Sequence, residues 1–237
     1  MPPKGGIFIR GDINLANKKR LGLHIWIALL TFSAGFTNAE MTVGRHFSVS
    51  HHTGNLSQFA ILLSLGKPVL FLAALIFFFF LGSTVAGVLF YKKVIGQSRI
   101  YGFTSIIHGI TTILLGLFLP ANTLFLFILF QSFALGIQNG ILKNVRHTTT
   151  RTTHMTGYLT DAGVALGAFF RGDKKALDCF CYFALHLLLF VTGAFLGAFS
   201  FRWLDVYAAV AAGMIQLFSG LVYFMSGDFG RKSKECM

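Results

Sequence analysis

Two Thr-Gly pairs, Thr53-Gly54 and Thr156-Gly157, open short apolar runs in a chain otherwise built from long ones. Each follows a polar stretch, RHFSVSHH (45–52) and RHTTTRTTHM (146–155). A threonine in that place serves as the N-cap of a helix, and glycine lets backbone or ligand approach closely. The first helical turn leaves N–H groups unpaired at the positive end of the helix dipole. Inside a bilayer such an end must find water, a polar side chain or an anion. The residues expected to line a polar centre are Thr53, Gly54, Asn55, Thr156, Gly157 and Tyr158. Gln58 and Asp161 lie about one helical turn further along, and Asn38 and Asn139 end the long runs that precede the pairs. Asp161 is the acidic residue set well inside an apolar segment, where an ionisable group is costly and marks function by default.

His108 belongs to a second constellation. With Thr104, Ser105, Thr111 and Thr112 it falls on one face of a helix by 3.6-residue periodicity, a stripe that should face protein rather than lipid. His46, His51, His52, His147 and His154 flank the Thr-Gly pairs without a His-x₃-His spacing, so they read as loop histidines and no metal site is expected. Cys179, Cys181 and Cys236 are odd in number and read as ordinary thiols. Nothing calls for a cofactor. No Ser-His-Asp, zinc or phosphate-loop pattern is present, so the chain is not expected to be an enzyme.

The elements that position these residues follow from composition. Apolar residues make up 54% of the 237, charged residues 12%, and 28 are Phe. A chain so poor in charge cannot cover a water-facing surface, and runs of roughly 20 apolar residues cross a bilayer as helices. The net charge of +12 sits in short runs beside apolar segments, which is the pattern of membrane insertion rather than nucleic-acid binding. The first twenty residues, MPPKGGIFIRGDINLANKKR, lack a small-residue cleavage site and read as a retained cytoplasmic tail.

Six runs are long enough to span: 21–39, 68–91, 100–119, 122–142, 179–201 and 203–225. The short runs 54–66 and 156–170 are extra. If both turn back within the membrane and the N-terminus is cytoplasmic, only Arg45, Lys67 and Arg202 of the 20 Lys and Arg lie outside. Eight full crossings with parallel repeats, the alternative, would put Lys67 inside but eight others outside, Lys92, Lys93, Arg99, Lys143, Arg146 and Arg151 joining Arg45 and Arg202. The expectation is therefore six transmembrane helices plus two re-entrant half-helices, with both termini cytoplasmic. Three crossings per half make the halves face opposite ways, an inverted-topology repeat.

The repeat is legible directly. Gly35-Phe36-Thr37-Asn38 answers Gly136-Ile137-Gln138-Asn139, His51-x-Thr53-Gly54-x-Leu56 answers His154-x-Thr156-Gly157-x-Leu159, and Gly109 and Gly116 answer Gly213 and Gly220. The spacing is nearly constant at roughly a hundred residues. The expected organisation is a tail (1–20), repeat one (21–119), repeat two (120–226) and a second tail (227–237). Ser83-x₃-Gly87 and Gly193-x₃-Gly197 carry small residues at the spacing used for close helix crossing.

AGFTNA with HHTGNL, then GIQNGIL with THMTGYLT, resemble the YoaK-like family of bacterial membrane proteins, a domain of unknown function numbered 1275. The likeness runs from about residue 25 to 225 and implies a multi-pass protein of the bacterial cytoplasmic membrane. Members often carry Asp near the end of the first span, where this chain has Asn38. The expected function is a transporter or channel-like permease for a small solute, with helix dipoles favouring an anion. The alternative is a non-transporting membrane scaffold or accessory protein. The expected partners are the bilayer and a solute, with a second copy of the chain left open.

Overall fold

A computed structural model describes residues 10–141, 151–227 and 229 of the chain. Among them the elements are all helical: α1 (Arg10–Arg45), α2 (His52–Ser64), α3 (Leu70–Leu89), α4 (Ile100–Phe118), α5 (Leu124–Ile141), α6 (Met155–Phe170), α7 (Ala176–Leu204) and α8 (Ala208–Ser226). Short 3₁₀ turns, Ala121–Thr123 and Asp205–Tyr207, precede α5 and α8. Residues 1–9 of the basic tail, Lys143, Arg146, His147 and Cys236 lie outside the described residues.

Among the described residues, five stretches are long and apolar enough to cross a membrane: Leu21–Arg45, Leu70–Leu89, Ile100–Phe118, Leu124–Ile141 and Ala176–Ser226. The last holds α7 and α8 in succession. The chain is an all-α, multi-pass, membrane-like protein. Its surface confirms this inversion of the soluble pattern, because Phe77, Phe80, Phe195, Phe199 and Trp203 are exposed while Thr31, Gln131, Ser132 and Ser219 are fully buried. The first helix does not stop at residue 39 but continues to Arg45.

Packing pairs α1 with α7, α3 with α5, and α4 with α8, while α1 also meets α8 and α6 lies along α7. Backbones touch at glycines. A side chain at Gly35 or Gly193 would strike α7–α1 backbone at Phe190 or Phe32, and one at Gly136 or Gly82 would strike α3–α5 backbone at Phe79 or Phe133. Gly109 and Gly213 face each other across α4 and α8, each leaving room for the other's carbonyl at 2.6 and 2.7 Å from an added Cβ. Lipid tails give no hydrophobic drive between helices, so close backbone contact supplies the attraction. Of the small-residue pairs expected at these crossings, Gly193 and Gly197 meet α1; in the other, Ser83 meets α5 by donating to Gly136 O at 3.2 Å, whereas an added Cβ at Gly87 meets nothing within 4 Å.

The two short helices are built alike. Each is preceded by a histidine with nearly the same backbone, His51 at φ −94°, ψ 64° and His154 at φ −89°, ψ 60°. Each ends in a Schellman motif: Lys67 N–H donates to Leu62 O and Gly66 N–H to Leu63 O, while Asp173 N–H donates to Ala168 O and Gly172 N–H to Phe169 O. Gly66 and Gly172 take the positive φ this motif requires, 64° and 100°. The expectation that Thr53 and Thr156 are N-caps is corrected: the cap positions lie two residues earlier, at His51 and His154, and neither cap makes a side-chain hydrogen bond.

Replacing Gly109 by Val should destabilise the chain by about 1–3 kcal/mol, the usual cost of overpacking. Gly54→Ala, with nothing within 4 Å of the added carbon, should be nearly neutral. Unfolding followed by the fluorescence of Trp26 and Trp203 distinguishes the two variants.

Candidate functional site

The segments leading into α2 and α6 fold back against the helices they leave. Asn38 Oδ1, on α1, accepts from Ser48 Oγ at 2.9 Å, Ser50 N at 3.1 Å and Ser50 Oγ at 2.9 Å. Its counterpart Asn139, on α5, accepts from Thr153 N at 3.4 Å. Asn55 Nδ2 donates to Ser48 O at 2.8 Å and lies 3.3 Å from His52 Nδ1. If that nitrogen accepts, the ring proton is on Nε2, which faces Val49 O at 3.2 Å and Ser132 Oγ at 3.4 Å. Three residues expected at a solute site, Asn38, Asn55 and Asn139, thus hold these turns.

The starts of α2 and α6 lie well along the long helices beside them. His52 packs on Phe79 of α3 with ring centroids 4.2 Å apart, and Tyr158 packs on His186 of α7 at 5.6 Å. By helical rise, both contacts sit roughly 15 Å along the long helix from its first residue. Tyr158 is buried, and it also stacks near Phe183 at 5.5 Å.

On the outward side, Thr53, Gly54, Gln58, Thr156 and Asp161 are exposed, and Gly157 is half-buried. Ser57 Oγ donates to Thr53 O at 3.1 Å, and Thr160 Oγ1 donates to Thr156 O at 3.0 Å, so the two helices present matching hydroxyl patterns. Beside α6 an open groove of about 860 Å³ runs between α6 and α7. Arg151, His154 and Gly157 line one part of it, Asp161 the middle, and Asp173 with Lys175 the helix-joining turn, over a floor that includes Ala165 and Phe183. A groove with cations beside a helix N-terminus can receive a small anion or carboxylate.

His108 takes no part in that surface. Its Nε2 lies 3.1 Å from Gln131 Oε1, and Gln131 Nε2 donates to Thr112 Oγ1 at 3.2 Å. Ser105, His108 and Thr112 are buried and Thr104 and Thr111 half-buried, so the stripe does face protein.

A second network escaped sequence reading. Ser33 Oγ donates to Gln216 Oε1 at 2.8 Å, Gln216 Nε2 to Gln138 Oε1 at 3.0 Å, and Gln138 Nε2 to Leu30 O at 2.9 Å and Thr152 Oγ1 at 3.0 Å. It joins α1, α5, α8 and the lead-in to α6. Thr31 Oγ1 and His186 Nδ1, 3.0 Å apart, link α1 to α7 in the same way. The available signal was glutamine and histidine within apolar runs.

The family model described as "Protein of unknown function (DUF1275)" matches residues 26–222, and the chain belongs to that family. No curated protein and no solved structure matches the chain.

Asn38→Ala strips three donors of their acceptor and should cost about 1–3 kcal/mol. Thr53→Ala, exposed, should change stability by less than about 0.5 kcal/mol. Paired unfolding curves check the contrast.

Proposed function

We propose that this member of the DUF1275 family is a small-solute permease whose halves are inverted-topology repeats, with α2 and α6 as re-entrant half-helices reaching inward from opposite faces. The observation that carries the reading is the matched construction of α2 and α6. The same histidine backbone precedes both, an asparagine clamp holds both lead-ins, and both end in the same Schellman motif. Paired broken helices within repeats of opposite orientation are the architecture of secondary transporters, where half-helix N-termini meet the solute near the midplane.

The contacts support the repeat relation. Gly35 against Phe190 and Gly136 against Phe79 are corresponding positions, as are Gly193 against Phe32 and Gly82 against Phe133. The Gly109–Gly213 contact then lies on the pseudo-two-fold axis. In this reading the α6–α7 groove leads from the turn holding Asp173 and Lys175 to the start of α6, where Arg151, His154 and free first-turn amides receive an anionic or carboxylate-bearing solute. Asp161 sets the charge midway. Thr53, Gly54 and Gln58 of α2 form the corresponding surface from the other face, and the protein acts without covalent chemistry.

A non-transporting scaffold is favoured by one observation: Gln131, Gln138, Gln216 and His108 bond to protein groups in the bundle centre. Flux decides between them. Proteoliposomes holding the full chain are challenged with gradients of chloride, phosphate and small carboxylate salts, and swelling is followed by stopped-flow light scattering. The permease predicts several-fold faster swelling for one solute class, slowed by Asp161→Asn and by Arg151→Gln without loss of fold. Rates equal to empty liposomes for every solute would move the assignment to the scaffold.

A further inference from the structure

Near the end of α1 lie two charged groups that the groove does not use. Glu40 is 1% exposed, and its Oε2 has no hydrogen-bond partner among the described residues. Arg45, whose charge acts on Glu40, is also held without a partner at its buried Nε. The two form no ion pair. The guanidinium instead sits over the Phe201 ring of α7, 5.7 Å from its centroid. A carboxylate shut away from water is unstable unless it is paired or neutralised. Glu40 has both remedies within reach, a proton or Arg45.

We propose that Glu40 is a proton-exchange site and Arg45 its switchable counter-charge. In one state the carboxyl carries the proton and the guanidinium rests on Phe201. In the other the proton has passed to water, and the carboxylate draws the guanidinium off the ring into an ion pair. No other charged group competes on the elements packed against α1. α5 and α8 carry none, and on α7 Asp178 is near the opposite end while Arg202, beside Phe201, is exposed. Asp205 in the following turn and His46 are exposed as well. The titratable groups without fixed charge are Cys179, Cys181, Tyr182 and His186 in the first part of α7, Tyr223 late in α8, and the half-buried pair His51, whose ring packs on Phe190, and His52, which is bonded to Asn55.

The place matters for the rest of the molecule. Glu40 stands two residues beyond Asn38, which holds the lead-in to α2, and Arg45 adjoins His46, whose φ of 61° starts that lead-in. Moving Arg45 between Phe201 and Glu40 therefore acts on the strap that positions α2. Thr42 and His46 are exposed, so the proton reaches solvent from this end of the helix.

The chain has one other glutamate, Glu235. A full-length Glu235→Gln chain labelled with carboxyl-¹³C glutamate therefore reports Glu40 alone, with the native residue in place. Its carboxyl resonance, followed in nanodiscs between about pH 5 and pH 10, should move from the acid to the carboxylate position. Arg45→Gln should tighten proton binding by about tenfold or more, the effect of removing a nearby opposite charge. Arg45→Lys, which keeps the charge, should leave the titration close to the parent and covers the case in which Arg45→Gln fails to fold. A resonance that does not move over the range, or one whose titration is the same when the charge is removed, overturns the proposal. The readout needs no solute, so it stands or falls apart from the flux assay.

Discussion

A helix that stops inside a membrane leaves peptide groups that lipid cannot satisfy, and in the re-entrant arrangement proposed for α2 and α6 that constraint shapes the chain. Both short helices meet it with the same parts. Asn38 and Asn139 accept from the backbone of the incoming segment, and Ser48 Oγ accepts from His51 N at 3.1 Å. Paired amides close the far ends onto carbonyls of the last turn. The side chains nearest the Thr-Gly pairs are therefore split between two tasks. Inward-facing Asn55 and Tyr158 hold the short helix against its neighbours, and outward-facing Thr53, Gln58, Thr156 and Asp161 meet whatever occupies the surface beyond.

The long helices solve a different problem, association without a hydrophobic gradient. Gly35, Gly82, Gly136 and Gly193 bring backbones into contact, and the buried Gln138 and Gln216 add hydrogen bonds between helices. At one end Tyr223 closes the bundle, donating to Ser98 O at 2.7 Å and accepting from Gly96 N at 3.0 Å, with the Trp26 ring tilted against it at 4.7 Å between centroids. Corresponding residues share these tasks unevenly. Gln216 of α8 bonds Gln138, while its counterpart Thr112 of α4 bonds Gln131, and both of those glutamines lie on α5. In the proposed repeat the halves share a frame and differ in the polar groups inside it.

Much of the frame was legible because bilayer thickness fixes helix length. The runs 68–91 and 100–119 became Leu70–Leu89 and Ile100–Phe118, and 54–66 and 156–170 became His52–Ser64 and Met155–Phe170. The continuation of α1 to Arg45 was hidden by polar residues that resemble a loop, while the end of the helix, Gly44 and Arg45, packs on Phe201. The cap assignment missed because the turn before each short helix is held by Asn38 and Asn139, far back in sequence, rather than by the adjacent threonine. The polarity of Asn38, Asn139 and Tyr158 was legible, but its direction was not: periodicity places a residue on a face without saying which neighbour covers it. For the same reason Gln138–Gln216, Thr31–His186 and the burial of Glu40 required the fold.

The central claim is that α2 and α6 turn back within the membrane, and sidedness tests it most directly. In a chain with Cys179, Cys181 and Cys236 replaced by Ser, single cysteines at Lys67, Ser98 and Asn122 are exposed to a membrane-impermeant maleimide in cells. Inverted repeats with re-entrant helices predict labelling at Lys67 and Asn122 from outside, and at Ser98 only after permeabilisation. The reverse pattern, Ser98 labelled from outside with Lys67 and Asn122 protected, would mean that every helix crosses and the halves lie parallel.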